Sequence, residues 1–206
     1  MLMVAKIVDI QQHIESPLYG ELLLGAAGVS AAVFHGHADP SSALVTLAAQ
    51  AQAYPVYRLY LALELPDGKS SVNVAEVEGY ILWRIEGGAD RERVVVELDQ
   101  LAVSPRCQGR GIGKQLIVDS RARLGGELAW RREERRRGST SAPPALAGIR
   151  WTVWLYESNE AARKLYDQLF PTCGGRRDYY GRPEVMLYKE APAPPPIQPD
   201  LASEVS

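Results

Sequence analysis

The segment that most constrains this chain reads Leu101-Ala-Val-Ser-Pro-Arg-Cys-Gln-Gly-Arg-Gly-Ile-Gly-Lys114. A strand-forming run stops at Val103, and helical spacing starts near Gly111. Ile112, Leu116, Ile117, Ser120 and Leu124 then share one helical face, while Lys114, Gln115, Arg121 and Arg123 share the other. Between strand and helix sit three glycines and two arginines. Glycines tolerate backbone conformations that let successive N–H groups point into one small space. The helix N-terminus adds the positive end of its dipole. A strand–turn–helix of this kind binds phosphate or pyrophosphate, and it demands a sheet with a helix packed against it.

Two familiar phosphate motifs fail here. A P-loop needs four residues between its glycines and then Lys and Ser or Thr. Gly109 and Gly113 enclose only three, and Lys114 precedes Gln115. The dinucleotide fingerprint also fails, because Leu116 stands where its third glycine belongs.

The rest of the chain reads as a mixed α/β domain. Ile10, Ile14, Leu18, Leu22 and Leu23 recur at helical spacing, broken by Pro17 and Gly20. Val29 to Phe34 fits either helix or strand. Asp39-Pro40-Ser41-Ser42 starts a helix that continues through Ala43 to Ala53. Strands are predicted over residues 57–65, 74–85 and 93–103, with turn chemistry at 66–69 and 87–90. Short links make antiparallel pairing the expectation. Gly79 marks a bulge in the second of these strands. The helix after Gly111 extends through the charged run Arg131–Arg137, and residues 138–148 form a loop. Residues 149–155 form a strand, and Ser158 or Asn159 caps a short helix bearing Ala162, Leu165, Tyr166 and Leu169. Residues 177–180 and 185–188 are the last strands. Five prolines among residues 191–206 mark a disordered tail. The expected architecture is one domain over residues 1–190. Its sheet is mixed and mostly antiparallel, with helices on both faces.

Composition excludes several classes. The chain has 206 residues, 46% of them hydrophobic, and a net charge of −2. No basic bias points to nucleic acid, and the two glutamates inside the 131–137 arginine run dilute it. The two cysteines make neither a disulfide framework nor a zinc site. His35-Gly-His37 lacks a third ligand, so no metal is expected. With no secretory signal and no run long enough to span a bilayer, the expected place is the cytoplasm, with no membrane partner.

A family resemblance sharpens the phosphate reading. Gln108-Gly-Arg-Gly111-Ile-Gly113 fits Q/R-x-x-G-x-G/A and resembles the coenzyme A pyrophosphate motif of the GCN5-related N-acetyltransferase (GNAT) superfamily. Leu101–Pro105 matches the strand end that precedes it there. The block Trp151–Asn159, followed by Ala162 and Leu165-Tyr166, resembles that superfamily's later strand and helix. The likeness covers about residues 57–188. Two departures stand out: Leu169-Phe170 replaces the usual Gly-Phe, and residues 131–148 are longer than usual.

The resemblance implies an acetyl-CoA-dependent N-acetyltransferase acting directly on a primary amine of a protein or small molecule, as a monomer or homodimer. The alternative it leaves is a catalytically inactive acyl-CoA sensor or scaffold. Backbone groups of Gln108, Gly109, Arg110, Gly111, Ile112, Gly113 and Lys114 would hold the pyrophosphate. Leu101, Ala102 and Val103 would pair with the pantetheine arm as an added strand does, and the Leu101 N–H would stabilise the developing oxyanion. Tyr166 would protonate the leaving thiolate, and Asn159 would lie near the arm. Periodicity alone makes Tyr166 a packed core residue and Asn159 a helix cap. Glu97 and Asp99 share a strand face with Leu101 by period two, and Glu97 is the first candidate for the general base. Cys107 lies inside the turn but is read as incidental to the chemistry. Arg177-Asp-Tyr-Tyr-Gly181 is loosely similar to the late hairpin of protein N-terminal acetyltransferases.

Overall fold

The computed structural model describes residues 5–34, 40–53, 55–64, 76–86, 91–139 and 142–198. The expected turns at 66–69 and 87–90, His35, His37 and residues 199–206 lie outside the described residues. Among the described residues, seven strands form one mixed sheet in the order β1-β2-β3-β4-β5-β7-β6, flanked by four α-helices. The strands are β1 Lys6–Asp9, β2 Tyr57–Glu64, β3 Glu76–Glu86, β4 Arg93–Val103, β5 Gly148–Tyr156, β6 Thr172–Tyr179 and β7 Arg182–Pro192. The helices are α1 Tyr19–Val33, α2 Pro40–Gln52, α3 Ile112–Arg137 and α4 Glu160–Leu169. No helix among the described residues is long and apolar enough to cross a membrane.

By internal contacts the chain divides into two compact units. The first comprises the described residues of Met1–Trp83 and Gln100–Arg121; the second comprises those of Arg84–Asp99 and Ala122–Gln198. In the first unit β1 pairs antiparallel with β2, Lys6 opposite Leu63 and Asp9 opposite Tyr60. Every β2 residue from Arg58 to Leu63 is buried, as expected of a strand covered on both faces. Leu22, Leu23, Ala26, Ala27 and Val29 of α1 join Ala43, Leu47 and Ala51 of α2 in its core. The helical spacing read from Ile10 onward belongs in part to other structure. Residues 6–9 are a strand, 10–13 a 3-10 turn capped by Asp9, and α1 begins only after Pro17. Four residues are too few for a periodic signal, and this strand is recognisable only through its partner. The ambiguous run from Val29 is helical as far as Val33.

Gly79 shows a close approach of backbones. A Cβ there would sit 2.7 Å from the Ala102 carbonyl oxygen and 3.3 Å from the Val103 Cα. Trp83, fully buried, donates its indole N–H to Ser120 Oγ on α3 at 2.8 Å.

The second unit holds the parallel ladder of β4 and β5, which runs from Arg93–Gly148 to Leu98–Val153. Parallel neighbours need a long crossover, and α3 with the loop after it supplies the connection. Arg132 fastens that loop by donating to the Pro144 and Arg91 carbonyls at 3.0 and 2.9 Å. β5 pairs antiparallel with β7 from Gly148–Pro192 to Tyr156–Glu184. That pairing corrects the expected disordered tail, since Ala191 and Pro192 are strand residues. Beyond them Ala193 N donates to the Ala147 carbonyl at 3.3 Å and Ile197 N to the Gly126 carbonyl at 3.0 Å. Gly125 and Gly126 make room for this segment: a Cβ at Gly126 would lie 2.7 Å from the Ile197 side chain. Proline disfavours helix and central strand, but it does not prevent an extended run from lying in a glycine notch.

The Gly79→Ala substitution tests the close approach. The added methyl meets backbone that cannot step aside. The expected net loss is about 1–2 kcal/mol, after the fraction of a kcal/mol that alanine gains over glycine in a strand. Chemical denaturation of the purified chain measures it.

Candidate functional site

The glycine turn at residues 108–113 belongs to the first unit. β4 ends at Val103, a single 3-10 turn covers Pro105–Cys107, and α3 starts at Ile112. Gly109 and Gly111 adopt φ of +77° and +85°, the left-handed region that side chains make costly. Both are exposed, and nothing lies within 4 Å of a Cβ built on either. Helix α3 is joined at once, with Gln115 N donating to the Gly111 carbonyl at 3.0 Å. The first N–H groups of α3 have no carbonyl one turn earlier to receive them. The Gln108 amide donates to the Val103 carbonyl at 3.2 Å and ties strand end to turn. Ile112 is buried and anchors the helix start, while Lys114 is exposed on its first turn. Exposed, left-handed glycines ahead of a long helix form an anion-binding terminus.

Side chains below the turn form a polar cluster. Arg110 Nη1 lies 2.8 Å from Glu78 Oε1 of β3 and 3.4 Å from Cys107 Sγ. Glu78 is 1% exposed. The Arg110 guanidinium is therefore engaged inside the protein, and what the turn offers a ligand at this residue is its backbone. Cys107 is 2% exposed, so its thiol is not open to alkylation. Burial raises its pKa first, and the hydrogen bond and charge of Glu78 raise it further. A protonated, buried thiol is no nucleophile. Arg106, at the surface, pairs with Glu76.

The second unit carries the titratable candidates. Glu97 sits on the less buried face of β4, between buried Val96 and Leu98 and in register with Thr152 of β5. Its Oε1 lies 2.9 Å from Arg84 Nη2, and the same nitrogen reaches Glu86 at 2.7 Å. Loss of water raises the Glu97 pKa; Arg84 opposes the shift, and Glu86 and Asp99 add to it. Burial also raises the Asp99 carboxyl, against the pull of Arg84. Its surface nonetheless stays open to solvent, which weakens any such perturbation.

Tyr166 lies on α4, 7% exposed, edge-on to Phe170 with ring centroids 5.9 Å apart. Burial moves its phenol well above the ordinary range. Asn159 caps α4, its Oδ1 accepting from Ala162 N at 3.1 Å. The late hairpin, β6 and β7, turns at Tyr180 and Gly181, both with positive φ. Tyr180 is 90% exposed. Arg177 stacks over Trp154, 4.0 Å from the ring centroid.

Sequence reasoning did not find Arg84 or Glu78. Both lie in a run of strand formers whose partners depend on the register between neighbouring strands. Among the described residues no group of three or more His, Cys, Asp or Glu is placed to hold a metal ion.

Comparison with known proteins bears on this geometry. Residues 68–169 match the family profile of the acetyltransferase (GNAT) domain. No curated protein matches the chain by sequence. Among solved structures, the fold is similar to the ribosomal-protein-S18-alanine N-acetyltransferase from Escherichia coli. That pair shares 18% identity over 97% of this chain and 99% of the other, at a TM-score of 0.53. It is also similar to an aminoglycoside 6'-N-acetyltransferase complexed with coenzyme A: 13% identity, 90% and 96% coverage, TM-score 0.53. A spermidine N-acetyltransferase chimera from Vibrio cholerae gives 12% identity, 83% and 91% coverage, and a TM-score of 0.54.

Valine at Gly111 would have to adopt a φ of +85°, at a cost of about 1–2 kcal/mol or a displaced turn. Calorimetric titration of Gly111→Val with coenzyme A is expected to show binding lost. A Gly20→Ala control, with nothing within 4 Å of the new methyl, is expected to bind as the wild type does.

Proposed function

Because this chain belongs to the GNAT family of acyl-CoA-dependent N-acetyltransferases, we propose that it moves an acetyl group from acetyl-CoA directly to a primary amine of a protein or small molecule, with Tyr166 as acid and Glu97 as base. The observation that carries this reading is the pair of left-handed glycines, Gly109 and Gly111, leading into α3 inside the matched region. The N–H groups from Gln108 to Lys114 take the pyrophosphate. Leu101 and Val103 lie beyond the last β4–β5 rung at Leu98, which supports pairing of their backbone with the pantetheine arm. Asn159 acts through its cap, holding the start of the helix that carries Tyr166.

The thioester supplies an activated acetyl group, and the chain's residues handle charge and protons. As the amine nitrogen bonds to the acetyl carbon, negative charge grows on the carbonyl oxygen and the Leu101 N–H stabilises it. Glu97, directly or through water, takes the proton that the nitrogen sheds. The carbon–sulfur bond then breaks, and the Tyr166 hydroxyl proton goes to the departing thiolate. A buried phenol that resists ionisation keeps that proton until a strong base appears beside it. A carboxylate with a raised pKa is a better base than an ordinary one. The three similar structures carry names with three different acceptors, a ribosomal-protein alanine, an aminoglycoside and spermidine. The acceptor class is accordingly set by residues outside the turn. The expected location is the cytoplasm, where free thiols such as exposed Cys173 persist. The working form is a monomer or homodimer.

Two measurements test the roles. Tyr166→Phe is expected to lower kcat by about 10²-fold or more, the range of general acid catalysis, with acetyl-CoA affinity unchanged. Equal turnover by both proteins would remove Tyr166 from the mechanism. The second test is the pH profile of kcat/KM across an amine panel. Glu97 works when deprotonated, so the rate should rise with pH through a pKa above the usual carboxylate range. Glu97→Gln should abolish that acidic limb. Arg84→Met should move it to higher pH, because Arg84 favours the charged carboxylate.

A further inference from the structure

Glu78 occupies an unusual place for a carboxylate. It is 1% exposed in the interior of the first unit, next to Gly79 on β3. Its backbone carbonyl accepts from Ser104 N at 2.7 Å, at the end of β4. Its side chain lies 2.8 Å from Arg110 Nη1 and holds the Cys107 thiol hydrogen bond. Three residues of the connection between β4 and α3, at 104, 107 and 110, thus converge on one residue of the neighbouring strand. A lone buried carboxylate is costly, and only paired and hydrogen-bonded charges are stable there. Arg110, 35% exposed along its side chain, supplies the charge, and its chain neighbours Gly109 and Gly111 hold the left-handed backbone.

We propose that Glu78 is a positioning residue: through Arg110 and Cys107 it holds the pyrophosphate turn in its binding conformation before acetyl-CoA arrives. The proposal rests on residues 108–113 being that turn. Loop ordering already present in the free protein is not lost from the binding energy. Removing Glu78 or Arg110 should therefore weaken cofactor affinity and leave the chemical step alone. A side chain that merely filled the core would lower stability with no selective effect on acetyl-CoA.

The experiment uses the full chain with Cys173→Ser, which leaves Cys107 as the one remaining cysteine. Glu78→Gln, Arg110→Met and the double variant are compared by acetyl-CoA titration, by kcat and KM, and by the rate of Cys107 modification by a thiol reagent. Each single variant is expected to raise Kd and KM for acetyl-CoA about tenfold at unchanged kcat, and the double variant no further, since coupled residues are non-additive. Cys107 modification should quicken about tenfold in Arg110→Met. There electrostatics alone predicts the opposite: losing Arg110 leaves Glu78 to raise the thiol pKa and slow the reaction. Unchanged affinity with unchanged Cys107 reactivity in Arg110→Met overturns the proposal, as do additive losses in the double variant. Arg110→Met keeps the test decisive should Glu78→Gln fail to fold. Should wild type bind no acetyl-CoA, the proposed function falls and this role with it. Faster Cys107 modification would then show only that Glu78 and Arg110 order the turn.

Discussion

The close approach of β3 to the end of β4 is the constraint from which the glycine turn at residues 108–113 follows. Gly79 has no Cβ, and the Ala102 carbonyl occupies the space one would need. One residue earlier, the Glu78 carbonyl receives Ser104 N. Together they fix where the strand stops and where the chain leaves for α3. Trp83, bonded to Ser120, secures a later turn of that helix from the same strand. With both ends held, Gly109 and Gly111 can keep backbone conformations that a free loop would populate only transiently.

Electrostatics in the second unit follows a different rule. The Glu97 side chain is largely withdrawn from water, yet Arg84 stands beside it. The two influences oppose, and loss of water is the larger. Arg84 divides its attention between Glu97 and Glu86, so Glu97 is neither fully neutralised nor left alone. Tyr166 has no such partner among the causes of its shift; burial alone raises it. Glu97 and Tyr166, the residues proposed as base and acid, are thus shifted by separate means.

Legibility varied with the range of the interactions involved. The capped helix α4 was readable because Asn159, the apolar face and Tyr166 all lie within one short window. The glycine turn was readable for the same reason. Strand β1 was not, because four residues carry no period and its identity depends on pairing with β2 fifty residues later. The order of residues 191–197 was not legible, because their prolines say nothing of Gly125 and Gly126, which make room for Pro194 and Ile197. Glu78 and Arg84 looked like any polar residues in a strand, and only register decides what each one meets.

Sequence by itself determined the fold class, the order of its main elements and the glycine turn between β4 and α3, and it named the residues proposed for pyrophosphate, acid and base. Each of these is written in local spacing, where neighbours along the chain are neighbours in space. Tertiary structure alone decided that Arg110 turns inward to Glu78 rather than outward, that Cys107 is sealed, that Arg84 sits on Glu97, and that the proline segment is bound. Those outcomes depend on strand register and on packing between distant segments. In a sheet, a shift of one residue sends a side chain to the opposite face.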